Sequence, residues 1–232
     1  MAMTDYPYET SFLQPMPPNP VNVACQAFDG IPVTAPKTTK TTVGALSTRE
    51  NQVLNALYQS ANVYFNYSGQ INCTDFSDGD ATGALDGAGW NVLACNQMAM
   101  PTTNGANSMF IPNDPFDTDA YTKQCQEAFG LTPRYDWVWD YFGGKDIQRD
   151  FASHTNIIFT NGDLDPWSAG GVNTAIKNND RIKIIPIAGA AHHLELRGPN
   201  PADPQSVIDA RTWILGNVTQ WITEYNNIVQ LQ

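Results

Sequence analysis

The chain is short of charge, of basic residues, of long apolar runs and of paired cysteines, and each shortage removes a class of function. Only 15% of its 232 residues are charged, against about 25% in ordinary soluble domains. Twelve basic residues stand against 23 acidic ones, for a net charge of −11. A nucleic-acid groove or an anionic membrane surface needs the opposite sign, so neither is an expected partner. No run approaches the ~20 apolar residues of a membrane span. The four cysteines, Cys25, Cys73, Cys95 and Cys125, include no Cys-x-x-Cys pair, which argues against a zinc ribbon or a thioredoxin-type site. The three histidines show no His-x-x-x-His or His-Glu-x-x-His spacing, so no metal is expected. Nothing in the sequence calls for a cofactor.

What fills the polar share is Asn, Thr and Gly, a composition that suits a secreted or lysosomal protein. Widely spaced cysteines in such a chain point to disulfides. Asn-x-Ser/Thr sequons begin at Asn66, Asn72 and Asn217; Asn66 and Asn217 are the candidate glycan acceptors. The first residues, Met1-Ala2-Met3-Thr4-Asp5, have neither a basic region nor an apolar core and do not read as a signal peptide. The secretory signal is therefore expected upstream of this chain.

Residues 1–46 are rich in Pro and Thr and read as an irregular segment wrapped over something else. Ser47-Thr48-Arg49-Glu50 is a capping box. It opens a helix with Val53, Leu54, Leu57, Tyr58, Ala61, Tyr64 and Phe65 at helical spacing. Residues 66–89 read as a polar, Gly-rich loop. Within it, Asp78-x-Asp80-x-Thr82-Gly83 imitates the start of a calcium loop, but Gly89 stands where a bidentate Glu is required, so it is read as a plain acidic loop. A second helix is expected from about Asp117 to Phe129, ended by Gly130. Residues 134–144 are crowded with aromatics. Two apolar runs, Ile157-Ile158-Phe159 and Ile182 to Ile187, read as strands. Asp203-Pro204 reads as the start of a last helix, with an acid at the N-cap and Pro at its first position. Its apolar face is Val207, Ala210, Ile214, Val218, Trp221 and Tyr225. Strand, helix, strand, helix is a parallel-sheet pattern. Two strands leave edges unpaired, so further strands must come from elsewhere in the protein.

The chemistry sits just past the two strands. Asn161-Gly162-Asp163-Leu164-Asp165-Pro166-Trp167-Ser168 follows the first, and Gly189-Ala190-Ala191-His192-His193 follows the second. An acid after one strand and a His after the next is the second half of the Ser…Asp…His order of α/β-hydrolases. The buried acid would fix the imidazole tautomer and stabilise the imidazolium. Asp165 suits that role, with Asp163 as its rival. His192 and His193 compete for the base, since adjacent side chains point different ways. The first half, a Gly-x-Ser-x-Gly elbow, is absent. The nearest decoy, Pro166-Trp167-Ser168-Ala169-Gly170, begins with Pro and follows the acid, so Ser168 is read as a loop residue.

Several motifs together make the chain recognisable. Met1 to Tyr8, Asn66-Tyr67-Ser68-Gly69-Gln70, Ser153-His154-Thr155-Asn156, Asn161 to Trp167 and Ala191 to Arg197 resemble the S28 family of serine peptidases, nearly end to end. The family's members are exopeptidases, carboxypeptidases and dipeptidyl peptidases, that cut beside proline. The Asn66 to Gln70 segment leans toward the prolyl carboxypeptidase branch. The resemblance implies an α/β-hydrolase core with a helical cap inserted after the nucleophile strand. Residues 1–85 would be the end of the cap, and 86–232 the C-terminal part of the core. It places the triad acid on Asp165 and the triad His on His192, while the family's Ser lies in an upstream elbow. It also implies a Cys95–Cys125 disulfide, with partners for Cys25 and Cys73 outside the chain. The implied substrates are peptides with proline near a terminus, the implied location is lysosomal, vacuolar or secreted, and a homodimer would fit the family. Trp167 is the candidate wall against a substrate proline ring. A truncated relative without activity, acting by binding or not at all, is the alternative in kind. Dipeptidyl peptidase activity is the alternative within the family.

Overall fold

The structure, a computed structural model, describes residues 5–11, 14–32, 46–73, 87–101 and 115–230. The acidic loop considered for calcium and the expected boundary at residue 85 lie outside these residues. The chain divides into two compact units. One comprises Met1–Ala81, His154–Ala175 and Asn179–Gln232; the other comprises Thr82–Ser153 and Ile176–Asn178.

The first unit is built on two parallel strands, β1 (Ile157–Gly162) and β2 (Ile182–Ile187), paired in register from Ile157↔Ile182 to Gly162↔Ile187. Both are rich in β-branched residues, which fit a pleated, half-buried surface. Beyond β2 the chain turns through Gly189, whose φ of 69° suits glycine. It then buries Ala190, Ala191 and Leu194 completely. These three join Tyr6, Ile187, Val207 and Ala210 in the core of the unit. Val207 and Ala210 come from α7 (Gln205–Gln230).

The last helix starts later than Asp203 and Pro204 suggest. Asp203 is not its cap: one carboxylate oxygen accepts from the Asn200 N–H at 2.8 Å and from Arg211 Nη1 at 2.6 Å. The guanidinium holds the carboxylate by a charge-assisted bond, and the second carboxylate oxygen, buried, caps no N–H. Of the expected apolar face of α7, Val207 and Ala210 are buried, whereas Val218 is 38% and Tyr225 66% exposed.

The N-terminal segment holds a helix that its prolines conceal. α1 (Pro20–Gln26) begins with Pro20 in the first turn, where the missing N–H costs nothing. It packs against α2 (Thr48–Phe65). The Ser47 capping box forms in both directions, Glu50 N–H to Ser47 Oγ and Ser47 N–H to Glu50 Oε2. The buried face of α2 is Ala56 and Val63; Leu54, Leu57 and Tyr58 are each more than half exposed. Neither belongs to the expected apolar face, so the helix turns smaller residues inward rather than the larger side chains of that face.

The second unit contains α3 (Gly87–Ala94), α4 (Thr118–Phe129), α5 (Trp137–Phe142) and α6 (Ile147–Asp150). α3 begins inside the segment read as loop, where Gly87 and Gly89 hide its helical pattern. Asp117 caps α4 through the Asp119 and Ala120 N–H groups, and Gly130 ends it in the left-handed region. A disulfide joins Cys95, after α3, to the fully buried Cys125 of α4. Cys25 and Cys73 are free and exposed.

Gly162, at the end of β1, is required by a close approach. A Cβ there would lie 2.2 Å from the Ala190 carbonyl oxygen. Gly162→Ala should destabilise the protein by roughly 1–3 kcal/mol, the usual cost of overpacking, visible as a lower urea midpoint. An unchanged midpoint would show that the two strand ends are not in contact. Separately, peptide mapping without reduction should recover Cys95 linked to Cys125. That 30-residue separation closes a loop worth about 3–4 kcal/mol; recovery of Cys95 linked to Cys25 would contradict the structure.

Candidate active site

Two loops leave the same ends of β1 and β2, and the backbone ties them together. The Asp163 N–H donates to the Ile187 carbonyl and the Leu164 N–H to the Ala190 carbonyl, at 3.2 and 3.0 Å. Asp163 is engaged here: its Oδ1 accepts from the Gly189 N–H at 2.6 Å. It caps the turn after β2.

Asp165 sits two residues on, in extended backbone, as the N-cap of a short 3-10 turn over Pro166–Gly170. Its Oδ1 accepts from the Trp167 N–H at 2.8 Å, the usual N-cap bond. Pro166 at the first helical position fixes φ and donates nothing. The same carboxylate faces Nδ1 of His192, with Oδ1 at 3.1 Å and Oδ2 at 3.0 Å. The Asp165 side chain is 12% exposed and that of His192 30%. With Nδ1 directed at an acceptor, the neutral ring carries its proton there. Nε2 is then a bare lone pair, able to accept a proton. Among the described residues no hydrogen bond to Nε2 is present. Of the two acids and two histidines the sequence offers, the structure brings Asp165 to His192.

His193 differs from its neighbour. Its backbone is left-handed, with φ of 42°, and it opens the 3-10 turn Leu194–Leu196. Its ring centroid lies 4.2 Å from that of His192. Burial pushes its pKa below the ordinary imidazole value, and any charge on His192 pushes it further down. Trp167 is half-buried, its ring centroid 6.1 Å from that of His192 and tilted by 37°. Ser168 belongs to the 3-10 turn after Asp165 rather than to an open loop.

Three polar residues that the motifs did not single out support the His192 turn. Tyr6, completely buried, donates its hydroxyl to the His192 carbonyl at 2.9 Å. Glu195, buried just past the two histidines, accepts from Thr160 Oγ1 of β1 at 2.6 Å. Arg211 of α7 donates to the carbonyls of Leu194 and Glu195. No local pattern marks these contacts, because the partners are far apart in sequence.

The sequon residues are also placed. The Asn66 side chain closes on Ile71, donating to its carbonyl at 2.6 Å and accepting from its N–H at 3.0 Å. Asn217 Nδ2 donates to the Trp213 carbonyl one turn back along α7. Among the described residues no cluster of His, Cys, Asp or Glu could hold a metal ion, and no helix is long and apolar enough to cross a membrane.

Known proteins are similar to this sequence. The family described as serine carboxypeptidase S28 matches residues 1–214. Lysosomal Pro-X carboxypeptidase from Bos taurus is 40% identical over 228 residues, covering 97% of this chain and 41% of that protein. The Homo sapiens protein of the same name is 38% identical over 226 residues, with the same coverages. Prolyl carboxy peptidase like protein 5 of Caenorhabditis elegans is 32% identical over 232 residues, covering 97% of this chain and 43% of that protein. The chain thus spans about two fifths of the length of these relatives. The family implies an α/β-hydrolase-like fold, within which the described residues form helices and a two-stranded parallel sheet. By both the family match and the extent of its relatives, this chain is a member of the S28 family of serine peptidases.

Proposed function

We propose that the chain supplies the Asp and the His of a Ser-His-Asp triad in an exopeptidase that cleaves beside proline, as a Pro-X carboxypeptidase does. The observation that carries this reading is the paired contact of the Asp165 carboxylate with Nδ1 of His192. It leaves Nε2 in the state a general base needs. Asp165 orients and stabilises the imidazolium. His192 takes the proton of the attacking hydroxyl and returns it to the leaving amine. The serine belongs to an elbow outside these 232 residues, which contain no Gly-x-Ser-x-Gly. On this reading, residues 1–85 are the end of a helical cap and 86–232 the C-terminal part of the hydrolase core. The exposed apolar side chains along α7, Leu215, Ile222 and Ile228 among them, support a larger core that covers them, since a surface of that kind is ordinarily covered.

The substrates would be peptides with proline near a terminus. Trp167, beside the His192 ring, is the wall against which the proline ring would pack. The location follows the lysosomal relatives: lysosomal, vacuolar or secreted, with a signal peptide upstream. A homodimer remains the proposed assembly. The missing elbow favours a second reading for the 232 residues by themselves, an inactive relative that binds or does nothing. A chain of this length that reacts with a fluorophosphonate serine probe would remove that reading.

In the complete enzyme, Asp165→Asn should lower turnover about 10⁴-fold, because Asn presents a donor to the ring and favours the wrong tautomer. Packing should survive, since the Asn carbonyl can still cap the Pro166 turn. His192→Ala should cost at least as much and His193→Ala less. Steady-state kinetics with matched melting curves checks the series; full turnover in Asp165→Asn would refute the triad. Trp167→Ala should weaken cleavage after proline more than after alanine, by about 1–3 kcal/mol. Equal losses on matched Pro and Ala substrates would mean that Trp167 supports the fold and does not read the substrate.

A further inference from the structure

The turn that carries His192 is held by its carbonyls. Within four residues, three carbonyl oxygens accept from side chains remote in sequence. His192 O receives the Tyr6 hydroxyl at 2.9 Å; Leu194 O and Glu195 O receive Nη2 and Nε of Arg211, each at 2.9 Å. The third arm of the guanidinium, Nη1, is anchored on Asp203, whose side chain is fully buried. Tyr6 is fixed in its turn. It stacks on Tyr8 with ring centroids 5.9 Å apart, lies under the Arg197 guanidinium at 4.6 Å, and receives the Asn19 N–H on its own carbonyl.

The turn needs such support. His193 is a β-carbon-bearing residue in left-handed backbone, a conformation that L-residues hold only when the surroundings impose it. Relaxation at His193 would swing the preceding residue, and with it the imidazole, away from Asp165. Tyr6 fixes the carbonyl immediately before that strained bond pair, and Arg211 fixes two carbonyls after it.

We propose that Tyr6 and Arg211 are positioning residues for His192, holding from the two sides the backbone that aims its imidazole at Asp165. The inference rests on the triad reading above. Neither side chain reaches the imidazole itself; both act through the main chain. A misplacement of an ångström or less at a reacting group is enough to lower turnover by one to two orders of magnitude.

The test uses the full-length enzyme carrying this chain, with a proline peptide as substrate. Tyr6→Phe removes only the hydroxyl. Arg211→Lys keeps the charge facing Asp203 but loses the planar fork that spans two carbonyls. Tyr8→Phe removes a hydroxyl from the neighbouring ring of the same stack, whose partner is the Arg197 side chain rather than a carbonyl of the His192 turn. The expected result is a kcat lowered roughly 10- to 100-fold in Tyr6→Phe and Arg211→Lys, with KM unchanged and Tyr8→Phe at wild-type values. Wild-type kcat in Tyr6→Phe overturns the proposal, as does an equal loss in Tyr8→Phe, which would make the stack merely structural. Tyr6→Phe decides alone if Arg211→Lys does not fold. Asp165→Asn is measured alongside: inactive Asp165→Asn with normal Tyr6→Phe overturns only the positioning role, whereas active Asp165→Asn overturns the triad and this proposal together.

Discussion

The contact between the Asp165 carboxylate and Nδ1 of His192 depends on the parallel register of two strands, and the rest of the site depends on that contact. Gly162 pairs with Ile187 at the strand ends, so the two loops start level. Absence of a side chain at Gly162 lets the Ala190 carbonyl approach, and backbone bonds from Asp163 and Leu164 lock the loops together. Asp165 then serves two partners with one carboxylate, the N–H of Trp167 and the ring of His192. The cap holds the carboxylate still while the carboxylate orients the imidazole. A one-residue slip in the sheet would separate them, because side chains alternate along a strand.

The elements that were legible in the sequence are those set by neighbours. Strand runs, the Ser47 capping box, the helix from about Asp117 and the Gly130 stop each depend on residues within one turn. All four form as the local pattern requires. The acid and the histidine were legible for the same reason, since each follows its own strand. Choosing Asp165 over Asp163 was not a local matter. It turns on which carboxylate the Gly189 N–H takes, and that bond crosses between loops.

What the sequence concealed is long-range. Tyr6 meets His192 across 186 positions, from a proline-rich segment whose composition suggests irregular chain. Asp203 looks like a helix cap until Arg211, two turns along α7, claims its carboxylate. On α2 the helix forms as its spacing predicts, but the buried residues are Ala56 and Val63, neither on the expected apolar face, while Leu54 and Leu57 of that face are exposed. Periodicity marks a helix, whereas the partner decides which of its sides is covered. The outer stretch of α7, with Leu215 and Tyr225 each 66% exposed, poses the same question of what covers it. The chain spans 41% of the mammalian relatives, and we propose that the remainder of a hydrolase core provides the cover.

The central claim is that Asp165 holds His192 with its proton on Nδ1 and its lone pair on Nε2. Long-range ¹H–¹⁵N correlation of the imidazole reads this directly, with His192 assigned by its absence in His192→Ala. The account predicts a protonated Nδ1 and an unprotonated Nε2 in the neutral ring, and loss of that pattern in Asp165→Ala. A neutral ring protonated at Nε2, or an even mixture of the two tautomers, would contradict it.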